Sequence, residues 1–237
     1  MSVKIQNLAR LIGFGLCLGL IAQYSNAEEP VLEGELLRQE RLGYYYFSRG
    51  DVFGALQNLL PVAESGHALS QYRLGTLEEA ATNYEEAARW YGLAVEQHVV
   101  EANRALASMY ANGLLGAVDL EKAYSLQLIA AERGLVPSMF YIANALENGI
   151  GVDKNREQAI AWYQKAADAG NVSALQRLQR AYGVGELGMP VDLAKSKDLG
   201  ARAQAAGEAL RLANEALRKE AFAEFRLIEQ RYLNGQR

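Results

Sequence analysis

His67 and His98 are the two histidines of the chain, and both fall at junctions between helical patterns. A pair of imidazoles could begin a metal site, but one or two further ligands would have to lie within reach. Turn positions are the simpler role for them. Gly183-Val184-Gly185-Glu186-Leu187-Gly188 satisfies G-x-G-x-x-G, a spacing that cradles a pyrophosphate only where a strand leads into a helix N-terminus. Here it follows a helical pattern instead, so no dinucleotide is expected. Trp90-Tyr91 and Trp162-Tyr163 could stack on sugars or bases, yet aromatics recurring on an amphipathic helix face inward. Glu78-Glu79 and Glu85-Glu86 could act as general acids, but acidic pairs at helix starts are favoured by the helix dipole alone. No nucleophile, base and orienting group can be assembled from the remainder. The expectation is no catalytic residue, no cofactor and no metal.

The elements that would carry these residues follow from composition. Of 237 residues, 50% are apolar, with 4 Pro, 1 Cys and only Thr76 and Thr82 as threonines. That excludes a disordered chain, a disulfide framework and a β-rich sandwich. Ala, Leu, Glu, Arg and Gln dominate, and they are good helix formers. The 24 basic and 28 acidic residues leave a net charge of −4, so no broad basic surface for nucleic acid is expected.

Lys4 and Arg10 precede an uncharged apolar run over residues 11–22, and Ser25-Asn26-Ala27 supplies small residues before a cleavage point. This three-part pattern predicts a signal peptide over residues 1–27. The apolar run is shorter than the roughly 20 residues needed to cross a bilayer, so no stable membrane span is expected after cleavage. Cys17 follows Leu16 inside the run, which does not fit a lipidation site. Cleavage would remove Cys17 together with Lys4 and Arg10, leaving 22 basic against 28 acidic residues, a net charge of −6. A periplasmic location is predicted, with secretion beyond the cell a further possibility.

Internal repetition sets the fold class. Asp51, Asn83, Asp119, Asn155 and Asp192 recur at spacings of 32, 36, 36 and 37 residues. Each is Asp or Asn, the types that cap a helix by accepting a bond from an orphan backbone N–H. Gly66, Gly134 and Gly170 close the helices those caps open, and His98 takes the same slot in one repeat. Between closing residue and next cap lies another helix, marked by Ser70, Ala102, Ser138 and Ala174. Leu74, Leu106, Ile142 and Leu178 follow four residues later, then Leu77, Met109, Ala145 and Ala181. Small residues let helices approach, and the apolar stripe must be buried on a neighbour. Each unit is a helix hairpin that has to stack.

Gly66-His67-Ala68-Leu69-Ser70-Gln71-Tyr72-Arg73-Leu74-Gly75, Met109-Tyr110-Ala111-Asn112-Gly113, Gly149-Ile150-Gly151-Val152 and Ala161-Trp162-Tyr163-Gln164-Lys165-Ala166-Ala167-Asp168-Ala169-Gly170 resemble the Sel1-like repeat, a relative of the tetratricopeptide repeat. The resemblance covers about residues 33–207. It implies an all-α solenoid of about five hairpins, over residues 33–66, 67–98, 99–134, 135–170 and 171–207. Three features depart from it: residues 78–83 lack the glycine loop, Leu126 stands where the repeat has Trp, and residues 33–66 keep only the cap, Ala55 and Gly66. Pro61 should also kink or frustrate the second helix of that first unit. Residues 208–237 form a separate element. Leu210, Ala213, Leu217, Ala221, Phe225, Ile228 and Tyr232 make one face of a long amphipathic helix, expected to cap the array or to dock a partner.

The first helices of a solenoid line its inner wall. Counting away from the buried stripe, Tyr72, Arg104, Phe140 and Gln176, then Thr76, Ser108, Asn144 and Arg180, point off the core, flanked by Arg73, Tyr141 and Arg177. Arg and Tyr dominate binding hot spots. The expectation is a concave face that holds a peptide or helix of a protein partner, with Arg104, Arg177 and Arg180 pairing with its carboxylates. The resemblance implies a non-enzymatic periplasmic scaffold in a cell-envelope assembly, such as polysaccharide secretion or a flagellar motor ring. It also leaves two alternatives open. One is peptidoglycan-fragment binding or hydrolysis, although the paired cysteines of that branch are missing; the other is a secreted effector that binds host proteins.

Overall fold

A computed structural model describes residues 32–228, with side chains described up to Ala216 and at Lys219. The signal peptide expected over residues 1–27, and Tyr232 of the C-terminal pattern, lie outside the described residues. Ten α-helices and one 3-10 turn make up the described residues, with no strand among them. They are α1 (Gly34–Ser48), α2 (Val52–Glu64), α3 (Ala68–Ala80), α4 (Tyr84–Glu96), α5 (Val100–Ala111), α6 (Leu120–Glu132), α7 (Val136–Asn148), α8 (Arg156–Asp168), α9 (Val172–Val184) and α10 (Leu193–Ile228).

Two compact units result, one of residues 32–99 with 211–228 and the other of residues 100–210. In the first, α1 packs on α2, α2 on α3 and α3 on α4. Its core joins Ala55, Leu59 and Ala63 of α2 to Leu74, Leu77 and Trp90. In the second, α5 through α9 pack successively in the same way. Its core gathers Ile142, Leu146, Tyr163, Leu175 and Leu178 with Leu199 and Ala203 from the start of α10. The all-α stack of hairpins is thus the fold. The inward positions of the first helices are buried as the repeat demands, except Leu106, which is half-buried.

Four of the five repeat caps make the expected bond. Asp51 Oδ1 accepts from the Gly54 amide at 2.9 Å, Asp119 from Lys122 at 2.9 Å, Asn155 from Gln158 at 3.0 Å and Asp192 from Lys195 at 2.9 Å. Asn83 sits at the cap position, but its amide donates to Glu78 Oε2 at 2.8 Å and makes no capping bond. The closing residues Gly66, Gly134 and Gly170 take positive φ, and so does His98 at 68°. Thr82, at φ 63°, fills the shortened loop of residues 78–83. A β-branched residue there carries about 1–2 kcal/mol of strain.

Helix α2 continues through Pro61. Pro61 lacks an N–H, so the Gln57 carbonyl loses its helical donor, but Gln57 is exposed, which leaves solvent to satisfy it. The boundary placed at residue 208 does not interrupt the chain either, because α10 is one helix of 36 residues. Gly207 is not among the positive-φ glycines. It sits mid-helix at a cost of about 1 kcal/mol relative to Ala, which its Ala-rich surroundings offset.

Gly151 shows why repeat loops need glycine. Its φ is 67°, and a Cβ there would come 2.0 Å from the Leu120 carbonyl oxygen, so the α7–α8 loop lies directly on the N-terminus of α6. The shallow depression beside it, lined by residues 117–121 and Gly151, includes none of the predicted wall residues.

Candidate protein-binding wall

In the second unit, the first helices α5, α7 and α9 carry eight of the predicted residues. Arg104 and Ser108 on α5 are half-buried, as are Phe140, Tyr141 and Asn144 on α7. Gln176 and Arg180 on α9 are exposed, with the Arg180 side chain 65% accessible. Arg104 makes no ion pair among the described residues, and its charge acts on Glu101, one turn earlier on α5.

Arg177 is different, because its guanidinium is consumed within the chain. Its side chain is 14% exposed and grips both oxygens of Glu147, from Nη2 to Oε1 and from Nε to Oε2 at 3.1 Å. Nη1 also reaches Glu186 Oε2 at 2.7 Å, and Arg180 Nε reaches the same oxygen at 3.0 Å. Tyr163 donates its hydroxyl to Glu147 Oε2 at 2.7 Å, while its ring meets Phe140 at 5.7 Å between centroids. Burial alone would push the Glu147 carboxyl up. The bonds from Arg177 and Tyr163, with the charges of Arg177 and Arg180, outweigh it and hold the carboxyl below its usual range. Burial and the Glu147 carboxylate together raise the Tyr163 hydroxyl. The expected open guanidinium pair at Arg177 and Arg180 is therefore already matched by two carboxylates of the chain.

The first unit holds Tyr72, Arg73 and Thr76. Arg73 is 5% exposed, pairs with Glu40 Oε1 at 3.0 Å and lies 4.6 Å from the centre of the Tyr44 ring. It belongs to the packing of α1 against α3, which corrects its placement on an open wall. Tyr72 and Thr76 are half-buried beside Tyr91. The Tyr72 and Tyr91 rings are 5.8 Å apart, and Tyr91 donates to Glu79 Oε2 at 2.7 Å with Thr76 Oγ1 at 3.3 Å. Gly75 makes room, since a Cβ there would come 2.5 Å from the Tyr91 ring.

Sequence reasoning gave no role to Glu40, Glu147 and Glu186, and it read Glu78-Glu79 as a helix start, whereas both stand in the last turn of α3. Glu79 and Glu147 could have been found, because both stand five residues after the inward Leu74 and Ile142. The tempting motifs resolve into scaffold. His67 caps α3, its Nδ1 accepting from the Ser70 amide at 3.3 Å and lying 2.8 Å from Ser70 Oγ. Gly185 ends α9 with φ 77°, so the glycine triplet follows a helix. Trp90, Tyr91 and Tyr163 are buried; Trp162 is half-buried under the Lys165 ammonium, 4.1 Å from the ring centre. Among the described residues no three His, Cys, Asp or Glu side chains are grouped to hold a metal ion, and no helix is long and apolar enough to cross a membrane.

Stacked hairpins with capped second helices and walls of first-helix side chains define a repeat protein of the protein-interaction class. The family model described as Sel1 repeat matches residues 68–99, 100–135 and 136–171, so these residues form three Sel1 repeats. It is 25% identical over 207 residues to an exopolysaccharide production negative regulator of Rhizobium leguminosarum bv. viciae, covering 76% of this chain and 78% of that protein. It is 30% identical over 193 residues to the chitin synthase regulator SKT5 of Malassezia restricta, covering 75% of this chain but only 13% of that protein. The crystal structure of a Sel1 repeat protein from Oxalobacter formigenes matches with a TM-score of 0.62 and 25% identity, over 71% of this chain and 70% of that one.

Proposed function

We propose that the protein is a non-enzymatic adaptor of the bacterial periplasm. It holds a protein partner on its first-helix wall, within an envelope assembly that makes or exports polysaccharide. The observation that carries this reading is the second unit's row of half-buried and exposed polar and aromatic side chains, Arg104, Ser108, Tyr141, Asn144 and Gln176, on helices whose opposite faces are core. Rigid Tyr and Arg side chains on a packed scaffold are what interface hot spots are made of. Similarity to a regulator of exopolysaccharide production, over most of both chains, favours a polysaccharide assembly over a flagellar one. The charged run and apolar stretch before Ala27 support export.

A photo-crosslinking side chain at Ser108 should trap a subunit of that assembly in intact cells. The same group at Glu157, an exposed first-turn residue of the second helix α8, should not, and Arg104→Ala with Tyr141→Ala should abolish the Ser108 product. Recovery of the protein in the cytoplasm with residues 1–27 still attached, or turnover of muropeptides by the purified chain, would refute the reading.

A further inference from the structure

The chain contains two versions of one clasp, and only one of them is filled. In the second unit, Glu147 and Tyr163 hold the Arg177 guanidinium, with Phe140 against the Tyr163 ring and the guanidinium carbon 6.0 Å from that ring's centre. In the first unit, Glu79, Tyr91 and Tyr72 stand at the equivalent repeat positions, 68 residues earlier on the first helix and 72 on the second. The geometry repeats closely. Both tyrosine hydroxyls donate to the glutamate Oε2 at 2.7 Å, and the aromatic pairs are separated by 5.8 and 5.7 Å. Thr76 takes the place of Asn144 beside the hydroxyl.

What differs is the cation. Arg177 has Arg73 as its register equivalent in one repeat and Ala105 in the next, so the sequence offers Glu79 no arginine at the place where Glu147 finds one. Among the described residues no cation pairs with Glu79, whose residue is half-buried and reachable from solvent. A carboxylate fixed by a buried tyrosine hydroxyl beside aromatic rings is preorganised for a guanidinium: it accepts two N–H bonds in plane while the rings face the cation.

The geometry points to Glu79, Tyr91, Tyr72 and Thr76 as a binding site for an arginine side chain presented by a partner protein. This rests on the adaptor reading and gives it a chemistry opposite to the acidic partner that the wall arginines suggest. Arg177 in the filled clasp is the internal picture of the occupant.

The test uses the full chain and N-acetyl-arginine amide, with N-acetyl-citrulline amide as the neutral isostere, read by NMR of isotope-labelled tyrosine rings. Saturable shifts at Tyr72 and Tyr91 with the arginine compound, at least tenfold weaker binding with citrulline, and a tenfold loss in Glu79→Gln are expected. Arg177→Ala vacates the second clasp and should add a matching response at Tyr163. Equal binding of citrulline, an unchanged Glu79→Gln variant, or a response at Tyr163 in Arg177→Ala without one at Tyr91 would overturn the assignment, as would no response at either tyrosine. If Glu79→Gln melts early, the contrast between arginine and citrulline on the unmodified chain decides by itself. No partner protein is needed, so a negative titration leaves the adaptor reading standing, while the Ser108 crosslink tests that reading without touching Glu79.

Discussion

Glu101 offers the sharpest test of the packing. It is the second residue of α5, only 1% exposed, and its Oε2 is buried without a hydrogen-bond partner. Burial pushes its carboxyl from 4.5 up to about 7, against the lowering pull of its own backbone N–H and of Arg104. Below pH 4.5 both folded and unfolded chains keep the proton. Between 4.5 and 7 the unfolded chain releases it and the folded chain does not, so stability falls as pH rises, by about 1.4 kcal/mol per unit. Above pH 7 the deficit is constant at about 3 kcal/mol. Glu101→Gln keeps the shape of the protonated acid and removes the ionisation. Urea unfolding from pH 4 to 8 should therefore find the two proteins equal near pH 4 and the variant more stable by about 3 kcal/mol at pH 8. Glu147, lowered rather than raised, acts with the opposite sign and only at the acid end of the range, so the difference between the proteins is the diagnostic quantity. A constant difference across the range, or a variant that weakens relative to the parent as pH rises, would refute the account of a desolvated, unpaired acid.

Two further outcomes follow from backbone geometry and are read by the same unfolding measurement at fixed pH. Asp119→Ala removes a capping bond of 2.9 Å and should cost about 1 kcal/mol, whereas Asn83→Ala removes none and should cost only a few tenths. Gly170→Ala and Gly151→Ala both force a side chain into positive φ, at 82° and 67°, but only the second drives a Cβ into the Leu120 carbonyl. Gly170→Ala should cost about 1 kcal/mol and Gly151→Ala about 3 kcal/mol or more; equal costs would mean the α7–α8 loop can move off α6.

The parts of the fold legible in the sequence were those determined within one turn of helix. Asp119 and Asn155 cap because the donor they satisfy is three residues away, and Ile142 and Leu178 are buried because their helical spacing leaves no alternative. Asn83 escaped the pattern because Glu78, across the shortened loop, competes for its amide. The uninterrupted α10 was hidden for a related reason: Gly207 has the type of a helix stop, but stopping also needs a following chain that turns back, and Glu208 continues the helix instead. Wall positions were legible by counting, whereas their chemistry was not. Arg177 and Glu147 are 30 residues apart, and only the packing of consecutive hairpins puts them in contact.

That distinction changes what the second unit can recognise. An acidic partner approaching Arg177 would have to displace Glu147, which is tethered in place and acts at an effective concentration that a free carboxylate in dilute solution does not match. Displacement would also leave Glu147 half-buried beside Tyr163 without its cation, at the cost that follows whenever one member of a buried pair is removed. Arg180 is exposed enough for its pairing with Glu186 to contribute little, so it can be recruited, but as a weak and screened contact. On the proposed wall, affinity would then rest on Arg104 and on the aromatic and amide groups around Tyr141, Asn144 and Gln176. Such groups discriminate by shape and hydrogen bonding more than by net charge, and a partner selected that way would remain bound at ionic strengths that dissolve a purely electrostatic complex.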